Sequence, residues 1–211
     1  MIIAIDGPAG AGKSTVARRL AARLGFRYLD TGAMYRALTW LALERDVELD
    51  DGEALAALAR DHPVTVDGDR VTVAGFDVGN EIRTVDIDRV VSSVARHPAV
   101  RAILRERQRA LAAQGDAVME GRDIGAVVCP GAEVKVFLTA DAEERARRRT
   151  EERPGLGADA LATDLSLRDR RDAAQMEAAP DAETIDTTDL TVDEVVARIE
   201  RLAEASARAR A

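Results

Sequence analysis

The chain has 211 residues, 46% of them hydrophobic and 3% aromatic, with a formal net charge of −8. That length supports one full domain with a substantial core, and the acidic balance disfavours a surface built for nucleic acid or an anionic membrane, both of which select a basic face. A single cysteine, Cys129, leaves no internal disulfide and fits a reducing compartment; beside Pro130 it reads as core filler rather than a nucleophile. His62 and His97, the only histidines, each precede a proline, which argues against a histidine metal site. The chain opens directly on a strand and holds no apolar run long enough to span a bilayer, so a cytoplasmic protein with no membrane partner is expected.

Ile2-Ile3-Ala4-Ile5 is apolar and largely β-branched, the pattern of a buried parallel strand. Directly after it, Gly7-Pro8-Ala9-Gly10-Ala11-Gly12-Lys13-Ser14 satisfies G-x-x-x-x-G-K-[ST] at every fixed position. Val16, Ala17, Leu20, Ala21 and Leu24 then recur at helical spacing, with Arg18, Arg19 and Arg23 on the other side. Strand, glycine loop and helix together describe a phosphate cradle, in which backbone amides and a helix N-terminus converge on an anion. Lys13 would reach the β- and γ-phosphates and Ser14 would hold Mg²⁺. The alternative, a glycine-rich turn with an incidental lysine, sits badly with composition. The chain uses 28 arginines and only two lysines, Lys13 and Lys135, so a lysine here marks a place for a compact ammonium.

Further along, Arg27-Tyr28-Leu29 reads as a short strand running into Asp30-Thr31-Gly32-Ala33-Met34-Tyr35-Arg36, where Asp30 or Thr31 caps a helix; taken alone, Thr31 is a cap and nothing more. Gly52 to Arg60 forms a short helix. From Pro63 to Val78 the period changes to two around Asp67-Gly68, the signature of an antiparallel hairpin inserted in a βα chain. Glu81 to Val94 and Pro98 to Gln114 are expected as helices, with Ser92 in the middle of the first. Ala117-Val118-Met119 is a buried strand ending in Glu120-Gly121-Arg122-Asp123-Ile124-Gly125, and Val134 to Leu138 is another. An arginine-rich helix with Arg145, Arg147, Arg148 and Arg149 follows, broken at Arg153-Pro154-Gly155-Leu156-Gly157. A polar helix bearing Arg168, Asp169, Arg170, Arg171 and Asp172 comes next, then a strand at Thr184 to Thr187 and a closing helix whose tail from Ala203 is expected to fray.

Strands alternating with helices imply a doubly wound parallel α/β sheet with ligands beyond the strands' carboxyl ends. Most arginines in such a chain simply meet solvent. Arg122 is harder to dismiss, since it stands beside Asp123 between two glycines at the end of a strand. The abundance of arginine and the lack of a histidine base favour an acceptor that is itself a phosphate. Such a group is largely ionised at neutral pH and needs cations rather than a general base.

The P-loop after Ile5-Asp6, the Asp30-to-Arg36 run, Glu81-Ile82-Arg83, Ser92 with Val94, Arg101, Gly121-Arg122-Asp123-Ile124-Gly125 and the Arg168-to-Asp172 segment occur in this order. Together they resemble bacterial cytidylate kinase, a family of P-loop nucleoside monophosphate kinases, over nearly the whole chain. The resemblance implies one kinase domain over residues 1–211, with a core of 1–36, 115–145 and 183–207, an acceptor-binding insertion of about 37–114, and a lid of about 146–180. It implies transfer of a phosphoryl group from ATP, with Mg²⁺, to CMP or dCMP by a cytoplasmic monomer with no nucleic-acid partner. Gly7, Pro8, Ala9, Gly10, Ala11, Gly12, Lys13, Ser14 and Thr15 would hold ATP. Thr31, Arg36, Ser92, Arg101, Arg122 and Asp123 would hold CMP, while Arg168 and Asp172 of the lid would reach the phosphates or the acceptor's sugar. Lys13, Arg122, Arg168 and Arg171 would be the catalytic cations.

One departure stands out: Gln175 occupies the place where related sequences carry an arginine three residues after the lid aspartate, which leaves Arg170 or Arg171 to compensate. The readings that compete are a P-loop kinase for UMP, AMP or a hydroxyl acceptor, and a nucleotide-dependent switch. The guanine-reading Asn-Lys-x-Asp is absent, since the only asparagine, Asn80, is followed by Glu81.

Overall fold

The computed structural model describes residues 1–68, 70–153 and 157–210. In chain order the first elements are β1 (Ile2–Asp6), α1 (Lys13–Leu24), β2 (Arg27–Asp30), α2 (Thr31–Glu44), α3 (Gly52–Asp61), β3 (Thr65–Asp67), β4 (Arg70–Val73) and β5 (Phe76–Asp77). There follow α4 (Val85–Ala95), α5 (Pro98–Ala112), β6 (Ala117–Glu120), β7 (Val134–Thr139), α6 (Ala142–Glu152), α7 (Ala158–Asp172), β8 (Glu183–Asp186) and α8 (Val192–Arg208). The helix break expected at 153–157 falls on Pro154, Gly155 and Leu156, outside the described residues. The chain divides into two compact units, Met1–Tyr28 with Gly115–Ala211, and Leu29–Gln114.

The first unit is built on a sheet with the strand order β2-β6-β1-β7-β8. β1 lies at its centre, parallel to β6 (Ile3 opposite Val118) and to β7 (Ile5 opposite Val136). A strand covered by helices on both faces has no polar side, which is why β1 reads as an unbroken apolar run. Ile3, Ile5, Leu20, Leu138, Ile185, Val196 and Ile199 form its core. The neighbours of β1 come from distant parts of the sequence, so Asp6 and Glu120 end their parallel strands at the same edge, where doubly wound sheets bind ligands. The closing helix does not fray at Ala203, which is buried; Ser206 Oγ donates to Glu133 O at 3.3 Å and Arg210 pairs with the Glu133 carboxylate, tying the last turn down.

In the second unit, α2 buries Met34, Leu38 and Leu41 against Leu55, Ile82, Val100 and Leu104. The expected hairpin is there and gains a third strand, giving the antiparallel order β3-β4-β5. Val66 and Val71 face each other across it, and Gly68 takes the left-handed conformation (φ +59°) that the tight turn demands. The single helix expected over Glu81–Val94 is instead a 3₁₀ turn, Glu81–Arg83, followed by α4. Thr84 between them is extended and its side chain accepts from Ile87 N. A threonine cap with Asp86 and Asp88 in the first turn is a stronger helix start than Glu81.

Candidate active site

The loop between β1 and α1 depends on its glycines in a way that can be measured. Gly7 has φ +142°, and a Cβ added there would lie 2.1 Å from Leu138 O. No residue with a side chain fits. Gly12, at φ +86°, caps α1 with no side-chain bond, so nothing from its own turn competes for the first helical amides.

The loop's carbonyls are occupied one by one. Arg122 Nη1 donates to Gly7 O (2.9 Å), Lys13 Nζ to Pro8 O (2.7 Å) and Arg145 Nη1 to Ala9 O (3.1 Å), while Thr187 Oγ1 has its single proton within reach of both Thr139 O (2.9 Å) and Ala11 O (3.2 Å). With the acceptors engaged, the amides remain as donors for an anion.

Lys13 stands in a strongly shaped field. Burial of its ammonium, with the Arg122 guanidinium as the next cause, pulls its pKa down to about 7. Asp6, at the end of β1, is pushed the other way, up to about 6 by burial, even though it accepts from Ile124 N and Gly125 N, each at 2.8 Å. Those two bonds explain an element that no sequence pattern announces. Ile124–Val128 is a wide helical turn in which Cys129 N bonds back to Ile124 O at 2.7 Å, and Asp6 holds its first amides. Such i→i+5 turns are often found at functional sites.

Ser14 Oγ donates to Glu120 Oε2 at 2.9 Å. Glu120 is buried at the end of β6, and its second oxygen accepts from Tyr28 Oη at 2.5 Å. Among the described residues no group of three or more acidic, histidine or cysteine side chains forms a metal cage. A hydroxyl beside one carboxylate fits Mg²⁺, which keeps several waters and takes its remaining oxygens from substrate phosphates. Glu120 escaped the sequence reading because its tie to Ser14 exists only once β6 lies beside β1.

Of the other expected residues, the structure brings Arg122, Arg168 and Asp172 together: Arg122 Nη2 lies 2.8 Å and Arg168 Nε 3.7 Å from Asp172 Oδ2. Asp123, buried, follows directly on Arg122. Arg171 stands on the exposed side of α7, as does Arg170, which reaches Ser166 Oγ at 3.4 Å. Gln175 is half-buried in a 3₁₀ turn, Ala173–Gln175, and the next residue, Met176, sets its sulfur 3.5 Å from Arg122 Nη1. From α6, Arg145 reaches the phosphate loop alongside Arg122, and it also holds Asp169 Oδ2 at 2.5 Å. Its signal was a position one turn into a helix that starts just past the carboxyl end of a core strand. With four arginines in that helix, spacing alone did not single it out.

In the second unit Thr31, Arg36, Ser92 and Arg101 lie on α2, α4 and α5. Asp30, not Thr31, caps α2, its carboxylate accepting from Ala33 N. Thr31, Ser92 and Arg101 are buried. Arg36 pairs with Asp88, and the Arg101 guanidinium lies 5.8 Å from the centre of the Tyr35 ring. Buried or partnered guanidiniums are held in place at little further cost in side-chain freedom.

A phosphate loop at the carboxyl edge of a parallel sheet defines a P-loop nucleotide-binding fold. It is shared with a gluconokinase from Sinorhizobium meliloti (TM-score 0.52, 15% identity, covering 99% of this chain and 94% of that one). The chain belongs to the cytidylate kinase family, whose sequence model matches residues 3–205. Cytidylate kinase of Geobacillus kaustophilus is 52% identical over 209 residues, 93% of each chain. That of Roseiflexus castenholzii is 48% identical, covering 94% of this chain and 91% of its own.

Proposed function

We propose that the protein is a nucleoside monophosphate kinase that moves the γ-phosphoryl group of ATP onto CMP, and onto dCMP. The observation that carries this reading is the Lys13–Ser14–Glu120 constellation at the mouth of a carbonyl-capped glycine loop, in a chain matched by the cytidylate kinase family from residue 3 to 205.

Residues 7–15 bind the donor through backbone amides and Lys13. Ser14 and Glu120 would hold Mg²⁺, which when bound neutralises charge between the β- and γ-phosphates. Thr31, Arg36, Ser92, Arg101, Arg122 and Asp123 take the acceptor. Arg122, Arg145 and Arg168 meet the phosphates, and residues of about 146–180 act as the lid, with Asp172 at the acceptor. Arg145 supplies the charge that Gln175 cannot. Each of these three guanidiniums now lies beside a carboxylate oxygen, Arg122 and Arg168 at Asp172 and Arg145 at Asp169, so nucleotide binding would exchange one anion for another.

The acceptor phosphate, with a second pKa of about 6, is already ionised and needs no base. The protein's task is to hold two repelling anions in line and to keep water out. For the base, Asp123 accepts from the cytosine N4 amino group, and Arg101 donates to the ring acceptors. Uracil would turn an oxygen toward the same carboxylate and leave buried polar groups unpaired.

The deciding experiment incubates the protein with ATP, Mg²⁺ and in turn CMP, dCMP, UMP, AMP, shikimate and gluconate, following ADP release. CMP and dCMP are expected to lead. Equal kinetics with UMP would remove the cytosine assignment, and turnover only with a hydroxyl acceptor would remove the phosphate-acceptor mechanism.

A further inference from the structure

We propose that Tyr28 is a positioning residue for the metal-holding pair: its hydroxyl fixes one oxygen of Glu120 so that the other stays on the Ser14 hydroxyl. The inference deepens the reading above and rests on its placement of Mg²⁺ at Ser14 and Glu120.

Glu120 ends a four-residue strand with its carboxylate buried, and a glutamate there has three side-chain torsions, the last broad and weakly directed. Left alone it would sample several orientations, few of which face Ser14. Tyr28 Oη donates to Oε1 at 2.5 Å and Ser14 Oγ to Oε2 at 2.9 Å, so both ends of the carboxylate are bound and its plane is set. A phenol donating to a carboxylate makes a charge-assisted bond, stronger than a neutral pair. The tyrosine is itself held. It is 8% exposed, stands on β2 in the sheet beside β6, and carries the Arg18 guanidinium 5.1 Å from its ring centre. The order of support therefore runs from Arg18 to the Tyr28 ring, from its hydroxyl to Glu120, and from Glu120 to Ser14.

Ser14 can offer a lone pair to a cation only while its proton points elsewhere, and Glu120 Oε2 is where the proton goes. Tyr28 thus acts on metal affinity without touching metal or substrate, as outer partners of ligating groups do. Phenylalanine at this position keeps the ring, its burial and the Arg18 contact while deleting the hydroxyl that donates to Glu120.

The test measures Mn²⁺ binding by electron paramagnetic resonance in the presence of ADP, and ADP binding in EDTA by calorimetry, for the unmodified protein, Tyr28→Phe and Ser14→Ala. Tyr28→Phe is expected to weaken Mn²⁺ about tenfold and to leave ADP affinity in EDTA unchanged, with the fold kept and the melting temperature lowered by no more than several degrees, the cost of about one buried hydrogen bond. Loss of ADP affinity in EDTA by the same factor, the mark of a merely structural tyrosine, overturns the proposal. Unchanged Mn²⁺ affinity in Tyr28→Phe together with weakened binding in Ser14→Ala also overturns it, while the metal's placement survives. If Ser14→Ala too binds Mn²⁺ normally, the placement itself is wrong and the role of Tyr28 falls with it.

Discussion

The phosphate loop and the helices α6 and α7 both present positive charge, but they are made on opposite principles. The loop is built from backbone. Gly7 fits because it has no side chain, the Gly7, Pro8 and Ala9 carbonyls are tied off by Arg122, Lys13 and Arg145, and the helix amides follow without a side-chain cap. Such a site has little to rearrange when an anion arrives. The helices offer side chains, and those are already spoken for, Arg168 of α7 by Asp172 and Arg145 of α6 by Asp169, while Arg122 from the loop after β6 shares Asp172 with Arg168. A preformed cradle suits the donor, which must be held whatever happens next. In the proposed mechanism, exchangeable ion pairs would suit side chains that must take hold of a phosphate and let it go.

The sharpest way to break the comparison is to remove the one side chain the cradle cannot replace. Lys13→Ala is expected to lower kcat by about 10²–10³-fold, the cost of one preorganised donor to developing charge, with an unchanged circular dichroism spectrum. Retained turnover would mean the amides suffice. Next comes Arg122→Lys, in which an ammonium replaces a fork whose two nitrogens serve Gly7 O and Asp172 separately. A loss of about 100-fold in kcat/KM is expected from steady-state rates, and near-normal activity would show that charge alone matters there.

On the acceptor side, Asp123→Asn should cut the preference for CMP over UMP by about tenfold or more while the KM for ATP stays put. A parallel loss for both nucleotides would make Asp123 structural.

The smallest effect is a proton. Lys13, pulled down to about 7 mainly by burial, is largely neutral at pH 8 and charged at pH 6. Bound phosphates favour its charged form, so ATP binding at pH 8 should take up close to one proton on this lysine, and none on it at pH 6. Calorimetry in buffers of different ionisation enthalpy reads the difference. Equal uptake at both pH values would place the lysine outside the phosphate field.

Much of the first region was legible because its logic is local. A β-branched run, a spaced set of glycines and a periodic helix are all contained in residues 2–24, and the hairpin announced itself by a change of period around Asp67-Gly68. What escaped the reading depends on contacts between distant segments. Glu120 meets Ser14 across 106 positions, Arg145 meets Ala9 across 136, and the wide turn after Asp123 needs the carboxylate of Asp6. The splitting of the expected 81–94 helix was readable in principle, since Thr84 with two aspartates behind it is a start signal that outweighed an otherwise plausible run. The ordered tail was not, because the chain end gains its hold from Glu133.

The contrast between a fixed cradle and exchangeable arginines is tested most directly by a crystal structure of the protein with ADP and CMP bound. The expected result is a loop that superimposes on the present one, with Gly7, Pro8 and Ala9 carbonyls still capped, while Arg145 and Arg168 have left Asp169 and Asp172 for phosphate oxygens at hydrogen-bond distance. Ion pairs that survive intact, with the nucleotides' charge met only by the loop, would contradict it.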